Sequence, residues 1–297
     1  MSNQGVYQIS ILVTGGSGFI GSHVVDKLIE NDFDVKVFDI RRPCRKDVEF
    51  IRGNITSLKS LIAAMNNVEY VYHFAALSNI NKVAETPLKA IDLNIMSTTK
   101  ILEAARNSEV RRVLYASSYF VGSEKGHLYT TTKAVSEMLC KDYYNLYGLP
   151  FTILRYGTIY GPRSRDEDVV SLFIKSALSH QILTIYGDGN QSRNFIYVED
   201  AAEGSIAALK DDAKNQTYII EGKKQITISE VAEIVKKLIG NVKIEYKKER
   251  PQDFISKSVS IEKTKKELGW APKIDFEEGM QRYIQWYKEA QQMAIQV

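Results

Sequence analysis

Apolar positions in the first half of the chain alternate between two periods. Residues 9–14, 34–39, 49–52, 70–74 and 112–116 are short runs rich in β-branched and aromatic side chains, and they predict strands. Between them, residues 21–30, 57–65, 88–107 and 129–147 carry apolar residues at helical spacing. Strands apolar on both faces that alternate with helices predict a parallel sheet covered on both sides. Residues 151–155, Phe-Thr-Ile-Leu-Arg, supply a sixth strand. The pattern is that of an α/β fold with a doubly wound parallel sheet of dinucleotide-binding topology.

Beyond Gly161-Pro162-Arg163 the alternation loosens. Residues 198–209 predict a helix and 217–220 a strand that returns to the main sheet. Residues 227–239 predict a helix capped by Ser229, and 277–291 a further amphipathic helix. The expected division is a first domain over 1–160, to which 195–220 return. A smaller, interleaved α/β domain takes 161–194 and 221–297.

Composition narrows the class. The chain has 297 residues, 44% of them hydrophobic and 25% charged, which is ordinary for a globular protein with a large core. Its 39 basic and 36 acidic residues leave a net charge of only +3, too little to argue for nucleic acid or an anionic membrane. Two cysteines, Cys44 and Cys140, exclude a disulfide framework. Four scattered histidines show no metal-ligand spacing. No basic-then-apolar leader is apparent at the N-terminus, and no apolar run approaches the roughly 20 residues that cross a bilayer. These features predict a cytoplasmic protein.

The richest local signal is Thr14-Gly15-Gly16-Ser17-Gly18-Phe19-Ile20-Gly21, which leads from an apolar strand into a helix. Two glycine registers fit, Gly15/Gly18/Gly21 or Gly16/Gly18/Gly21. Either lets the backbone approach a diphosphate at the positive end of the helix. Asp39 ends the second strand, 21 residues beyond Gly18, where a carboxylate binds the adenosine ribose hydroxyls. That carboxylate disfavours a 2′-phosphate, so NAD is expected rather than NADP. Arg41 and Arg42 read as a solvated turn beside Pro43.

A second constellation lies downstream, where Ser117 precedes Tyr129 by twelve residues and Lys133 follows Tyr129 by four. On a helix, Tyr129 and Lys133 share a face. An ammonium nearby favours phenolate over phenol, which suits Tyr129 to take a proton from an alcohol as its carbon is oxidised. Ser117 would orient the reacting oxygen, with Ser118 as its rival.

With these residues the chain resembles the extended short-chain dehydrogenases/reductases, and among them the NAD-dependent nucleotide-sugar epimerases and dehydratases of Rossmann-type fold. The resemblance covers nearly the whole chain. It makes Gly15, Gly18, Phe19, Ile20 and Gly21 the cofactor turn, and Tyr129 with Lys133 the catalytic pair. Gly53-Asn54-Ile55 is similar to a Gly-Asp-Ile element that holds the adenine, here with an amide, Asn54, beside Ile55. Phe74, Ala75, Ala76 and Asn94 resemble further cofactor-side positions, and Lys133 also holds the nicotinamide ribose. The stretch from Tyr186 to Asp200 resembles the nucleotide-sugar segment, with Arg193 on the substrate diphosphate. Arg250-Pro251-Gln252-Asp253 resembles a second such element, with Arg250 on diphosphate and Asp253 on the nucleotide ribose. Leu268-Gly269-Trp270-Ala271-Pro272-Lys273 matches a closing structural signature.

The resemblance implies a 4-epimerase acting on a nucleotide sugar, a UDP-sugar above others. Hydride leaves C4, a bound keto sugar turns over, and hydride returns to the other face. The runner-up is a nucleotide-sugar dehydratase of 4,6- or 5,6-type. Family dehydratases carry Asp-Glu after their Thr, where this chain has Ser118 and Tyr119. A non-catalytic dinucleotide sensor on the same fold has no need of Ser117, Tyr129, Lys133 and Arg193 together. Two departures concern the sugar side. The stretch 123–128 is shorter than in most relatives, with Lys125 and His127 in it, and Thr158 stands where relatives carry a diphosphate-contacting Asn. Relatives pair the helices corresponding to 88–107 and 129–147 into a four-helix bundle, which implies a homodimer. Met138, Cys140, Tyr143 and Tyr144 on the second of these fit intrachain core equally well.

Overall fold

A computed structural model describes residues 8–122, 127–248 and 260–295. The chain runs β1 (Ser10–Thr14), α1 (Phe19–Glu30), β2 (Asp34–Asp39), β3 (Glu49–Arg52), α2 (Leu58–Ala64) and β4 (Tyr70–His73). Then come α3 (Ile80–Glu85), α4 (Pro87–Ile91), a π-helical turn (Asp92–Met96), α5 (Ser97–Asn107), β5 (Arg112–Ser118), a 3-10 turn (Tyr119–Gly122), α6 (Leu128–Tyr147) and β6 (Phe151–Tyr156). The remainder is β7 (Thr158–Tyr160), α7 (Val169–Leu178), β8 (Leu183–Tyr186), β9 (Ser192–Tyr197), α8 (Val198–Ala207) and β10 (Gln216–Ile220), followed by β11 (Gln225–Thr227), α9 (Ile228–Ile239), β12 (Ile244–Lys247), α10 (Glu262–Leu268) and α11 (Phe276–Ile295).

The main sheet has seven strands in the order β10-β6-β5-β4-β1-β2-β3. The ladders from β3 through β5 are parallel, with Leu12 opposite Lys36 on one side and Val71 on the other. β1 therefore sits where the strand order reverses, and the carboxyl ends of β1 and β4 flank the crevice used for ligands in such sheets. All five residues of β1 are buried, as a central strand covered on both faces requires. Helix α1 buries Gly21, Val24, Val25 and Leu28, the i, i+3, i+4, i+7 stripe of a helix laid on a sheet. Leu12, Leu61, Val71, Ile101, Leu102, Val113, Tyr115, Cys140 and Ile153 join one continuous core. Arg112 fastens the far segment to the sheet by donating to the carbonyls of Leu209 and Lys210 at 2.5 and 2.9 Å.

Two compact units result. One takes the described residues through Arg155 with Ala202–Tyr218 and Lys263–Trp270, and the other takes Tyr156–Ala201, 219–262 and 271 onward. The segment 195–220 expected in the first domain is thus divided. Its β9 half pairs with β7 and β11 in a separate three-stranded sheet, while β10 joins the main sheet. The second unit also holds the parallel pair β8–β12 and its own core of Tyr160, Phe173, Ile174, Phe195, Val231, Val235, Met280 and Tyr283.

Local sequence rules explain most boundaries, with two revisions. Helix α9 is capped by Thr227, not Ser229. The Thr227 hydroxyl accepts from Glu230 N at 3.1 Å, and the Glu230 carboxylate accepts from Thr227 N at 2.7 Å. This reciprocal box satisfies two helix-end donors. The helix expected over 88–107 is interrupted by the π turn, where Ser97 Oγ reaches back to the Asp92 carbonyl at 3.0 Å. Among the described residues no helix is long and apolar enough to cross a membrane.

Candidate active site

The glycine-rich turn is packed most tightly at Gly15 and Gly21. Gly15 has φ +75°, and a Cβ there would lie 2.5 Å from Ala75 N. A Cβ on Gly21 would lie 2.3 Å from the Gly15 carbonyl oxygen. Only glycine permits this close passage of the turn under α1. Gly16 instead packs its Cα towards Val37, where a Cβ would meet the side chain at 2.9 Å. Gly18 caps α1 without a side-chain hydrogen bond, and no acidic residue occupies the first turn. The first amides of the helix are therefore left for an anion.

Asp39 lies beside this turn at the end of β2. Its carboxylate accepts from Ser17 N at 3.1 Å and from Arg41 N at 3.0 Å, which fixes it against the glycine loop. Arg42 lies over the Phe50 ring at 5.5 Å. Together with Ile40, Arg41 and Arg52 these two residues line a cavity of about 520 Å³. Asn54 is exposed and its side-chain oxygen closes a turn by accepting from Thr56 N at 3.0 Å, while Ile55 is buried. The first amides of α1, the Asp39 carboxylate beside the turn and the cavity that begins at Ile40 fit a dinucleotide.

The end of β4 continues the same edge. His73 is buried and linked through its ring nitrogens to Thr14 Oγ1 at 2.9 Å and Thr98 Oγ1 at 3.1 Å. Burial, with the nearby Lys133 charge, pushes its pKa down to about 3, so it stays neutral. Phe74, Ala75 and Ala76 follow half-buried, Phe74 stacked on Tyr72 at 6.0 Å. Both Phe74 N and Ala75 N donate to the Thr14 carbonyl, at 2.9 and 3.1 Å. Asn94, in the π turn, is a clamp: it accepts from Leu77 N at 2.8 Å and donates to Leu77 O and Thr132 Oγ1, both at 3.0 Å. Its side chain ties the segment after β4 to α6, and π turns of this kind recur at functional sites.

Ser117, Tyr129 and Lys133 come from β5 and the first turns of α6. Lys133 is buried; its Nζ donates to the Ala116 carbonyl at 2.6 Å and lies 4.7 Å from the Tyr115 ring centroid and 6.0 Å from that of Tyr129. Burial pushes its pKa down to about 8, against the opposing pull of Glu137. Tyr129 is half-buried, with the His127 ring 5.9 Å away. The pleat separates the two serines. Ser117 turns its hydroxyl to α6, while Ser118 accepts from Phe120 N at 3.3 Å and starts the 3-10 turn.

Sequence reasoning missed two residues here. Ser117 Oγ donates to Glu137 Oε1 at 2.5 Å, and Arg155 clamps that carboxylate with Nε at 2.9 Å and Nη2 at 2.6 Å. The signal was available: Glu137 follows Lys133 by four residues, as Lys133 follows Tyr129, so one helix face carries all three.

In the second unit, Thr158 on β7 and Arg193 on β9 lie on paired strands, Thr158 opposite Phe195. Arg193 Nη1 donates to the Ser192 carbonyl at 2.8 Å. Arg250, Asp253 and Lys125 lie outside the described residues.

Residues 11–220 match the family model described as the NAD dependent epimerase/dehydratase family. The chain belongs to that family. Its cofactor is accordingly NAD. A putative UDP-glucose 4-epimerase of Methanocaldococcus jannaschii is 36% identical, with 94% of this chain and 98% of that protein covered. A UDP-N-acetyl-alpha-D-glucosaminuronate decarboxylase of Bacillus cytotoxicus is 31% identical over 94% of this chain and 97% of its own length. Among solved structures, the UDP-glucuronic acid 4-epimerase of Bacillus cereus, in complex with UDP-glucuronic acid and NAD, superposes with TM-score 0.88 at 28% identity. That superposition covers 95% of this chain and all of the other.

Proposed function

We propose that the protein is an NAD-dependent 4-epimerase of a nucleotide sugar, a UDP-sugar, with Tyr129 as the base. The observation that carries this reading is Lys133, a buried ammonium one helical turn from Tyr129 that donates to the carbonyl of Ala116, the residue before Ser117. The epimerases among the relatives support it.

Gly15, Gly18, Phe19, Ile20 and Gly21 would hold the cofactor diphosphate against the first amides of α1, and Asp39 the adenosine ribose. Asn54 and Ile55 would hold the adenine; Phe74, Ala75, Ala76, Asn94, Tyr129 and Lys133 would border the nicotinamide half. When bound, NAD supplies a two-electron acceptor that later gives the electrons back. Tyr129 takes the proton of the C4 hydroxyl as that carbon becomes a carbonyl, and the Lys133 ammonium favours the phenolate form that can do so. Tyr129 returns the proton after the sugar has presented its other face. Thr158 and Arg193, with Arg250 and Asp253, would hold the substrate's nucleotide diphosphate.

A homodimer is part of the proposal. Leu88 is 82% exposed, Met138 62% and Leu146 70%, and Ile91 and Met96 lie open on α4 and the π turn. Large apolar residues left in water on neighbouring helices α4 and α6 are a surface to be covered, and a second copy covers it symmetrically. Cys140 is buried, so the residues weighed together on α6 divide between core and surface.

The test is incubation of the purified protein with UDP-glucose, UDP-N-acetylglucosamine and UDP-glucuronate, followed by chromatography and mass spectrometry. An isomer of unchanged mass supports the epimerase. Loss of water assigns a dehydratase of 4,6- or 5,6-type instead. Loss of carbon dioxide from UDP-glucuronate assigns a decarboxylase, the second reading, which the Bacillus cytotoxicus relative favours.

A further inference from the structure

Ser117 has one proton, and the structure shows where it goes. Its hydroxyl donates to Glu137 Oε1 at 2.5 Å. The Glu137 side chain is 3% exposed, and Arg155 grips both its oxygens in a bidentate fork. The fork orients the carboxylate, and both of its oxygens accept, Oε1 from Ser117 and Arg155 Nε and Oε2 from Arg155 Nη2. In turn, Glu137 holds the Arg155 pKa above its ordinary value. The Ser117 oxygen therefore has lone pairs to offer and no hydrogen.

We infer that Glu137, clamped by Arg155, is a positioning residue that commits the Ser117 proton, so that Ser117 recognises the hydroxyl form of the sugar and releases its keto form. This rests on the epimerase reading above. A sugar alcohol can donate to an acceptor-only Ser117 and be oriented by it. Once Tyr129 has taken the proton, the C4 carbonyl has nothing to donate, and Ser117 has no free proton to give it. The protonated Tyr129 is then the single donor on the carbonyl from this constellation. A keto sugar that must turn over to expose its second face is held there by one hydrogen bond rather than two. The Glu137 bond thus favours departure of the intermediate from its first orientation.

The consequence is testable because an amide is a weaker acceptor than a carboxylate and loosens the hold on the Ser117 proton. In Glu137→Gln the charged acceptor of the Ser117 proton becomes a neutral amide, and one of its two ends must face an Arg155 donor, since Oε1 accepts from both Ser117 and Arg155 Nε. The Ser117 proton, held less firmly, is then shared with the keto sugar and holds it. Under turnover with a nucleotide sugar that the wild type converts, the near-ultraviolet absorbance of reduced nicotinamide should rise at steady state. At the same time kcat should fall roughly tenfold, the scale of one added or lost charged hydrogen bond, with KM unchanged or lower. In a Ser117→Ala background Glu137→Gln should change neither quantity further. A merely structural role would instead lower stability and active fraction without raising the reduced-cofactor signal.

Arg155→Lys removes the bidentate fork that holds the carboxylate on Ser117, so the Ser117–Glu137 bond loosens and the same shift should appear to a smaller degree. It carries the test if Glu137→Gln does not fold, as judged by circular dichroism. An unchanged steady-state absorbance, or an equal effect with and without the Ser117 hydroxyl, overturns the inference. A wild type inactive on every UDP-sugar overturns the epimerase reading instead, so the two failures are distinguishable.

Discussion

Burial of Lys133 and of Glu221 makes the stability of this protein depend on pH. Burial pushes the Lys133 pKa down from 10.5 to about 8. Between those values the unfolded chain still holds the proton that the folded chain has released. This group's contribution to stability therefore rises with pH across that window, and the full cost of the buried charge is present below about 8. If the ammonium supports the Tyr129 phenolate, kcat/KM should turn down above about 8; a profile flat well beyond that pH would remove Lys133 from this role. Tyr129→Phe should lower kcat at least a hundredfold, the usual scale of general acid–base catalysis, with bound NAD content unchanged. Glu221 is fully buried, donated to by Asn194 Nδ2 at 2.6 Å, and burial raises its pKa from 4.5 to about 7. Here the folded state binds the extra proton, so stability falls as pH rises from about 4.5 to about 7 and is level beyond. Glu221→Gln cannot ionise, so its melting temperature should lose that decline; a decline identical to wild type would count against the assignment.

At the scale of elements, the glycine turn and the helix caps carry the argument. Gly21→Ala would place a Cβ 2.3 Å from the Gly15 oxygen, and Gly15→Ala would add a strained φ of +75°. Each should weaken NAD binding about tenfold or more by displacing the start of α1, as titration calorimetry would show. Thr227→Ala breaks the box at α9 and should cost about 1 kcal/mol in thermal or urea unfolding. Elements with strong periods were legible from sequence: β2 and β3 have the bounds their apolar runs predict. The π turn at Asp92–Met96 was not, because apolar spacing looks the same through one widened turn, and what distinguishes it is Asn94 reaching Leu77 and Thr132. Short strands such as β7 and β11, three residues each, also escaped notice, since their ladders rather than their composition make them strands.

For the whole molecule the open question of partners has a direct measurement. The exposure of Leu88, Met138 and Leu146 predicts a dimer by size-exclusion chromatography with light scattering, and Leu146→Glu with Met138→Lys should give a folded monomer. A wild-type monomer would leave that apolar surface to another partner. The sequence by itself determined the sheet class, the glycine turn answered by Asp39, and the Tyr129–Lys133 pair. These depend on short-range spacing: strand and helix periods, a turn that only glycine can make, and one helical turn between two side chains. Tertiary structure alone decided the division of 195–220 between two units and the Ser117–Glu137–Arg155 chain. Each of these depends on segments distant in sequence coming within a few ångströms. Gly15 passes close to Ala75, and Ser117 donates to a carboxylate on the next helix that an arginine from β6 holds in place.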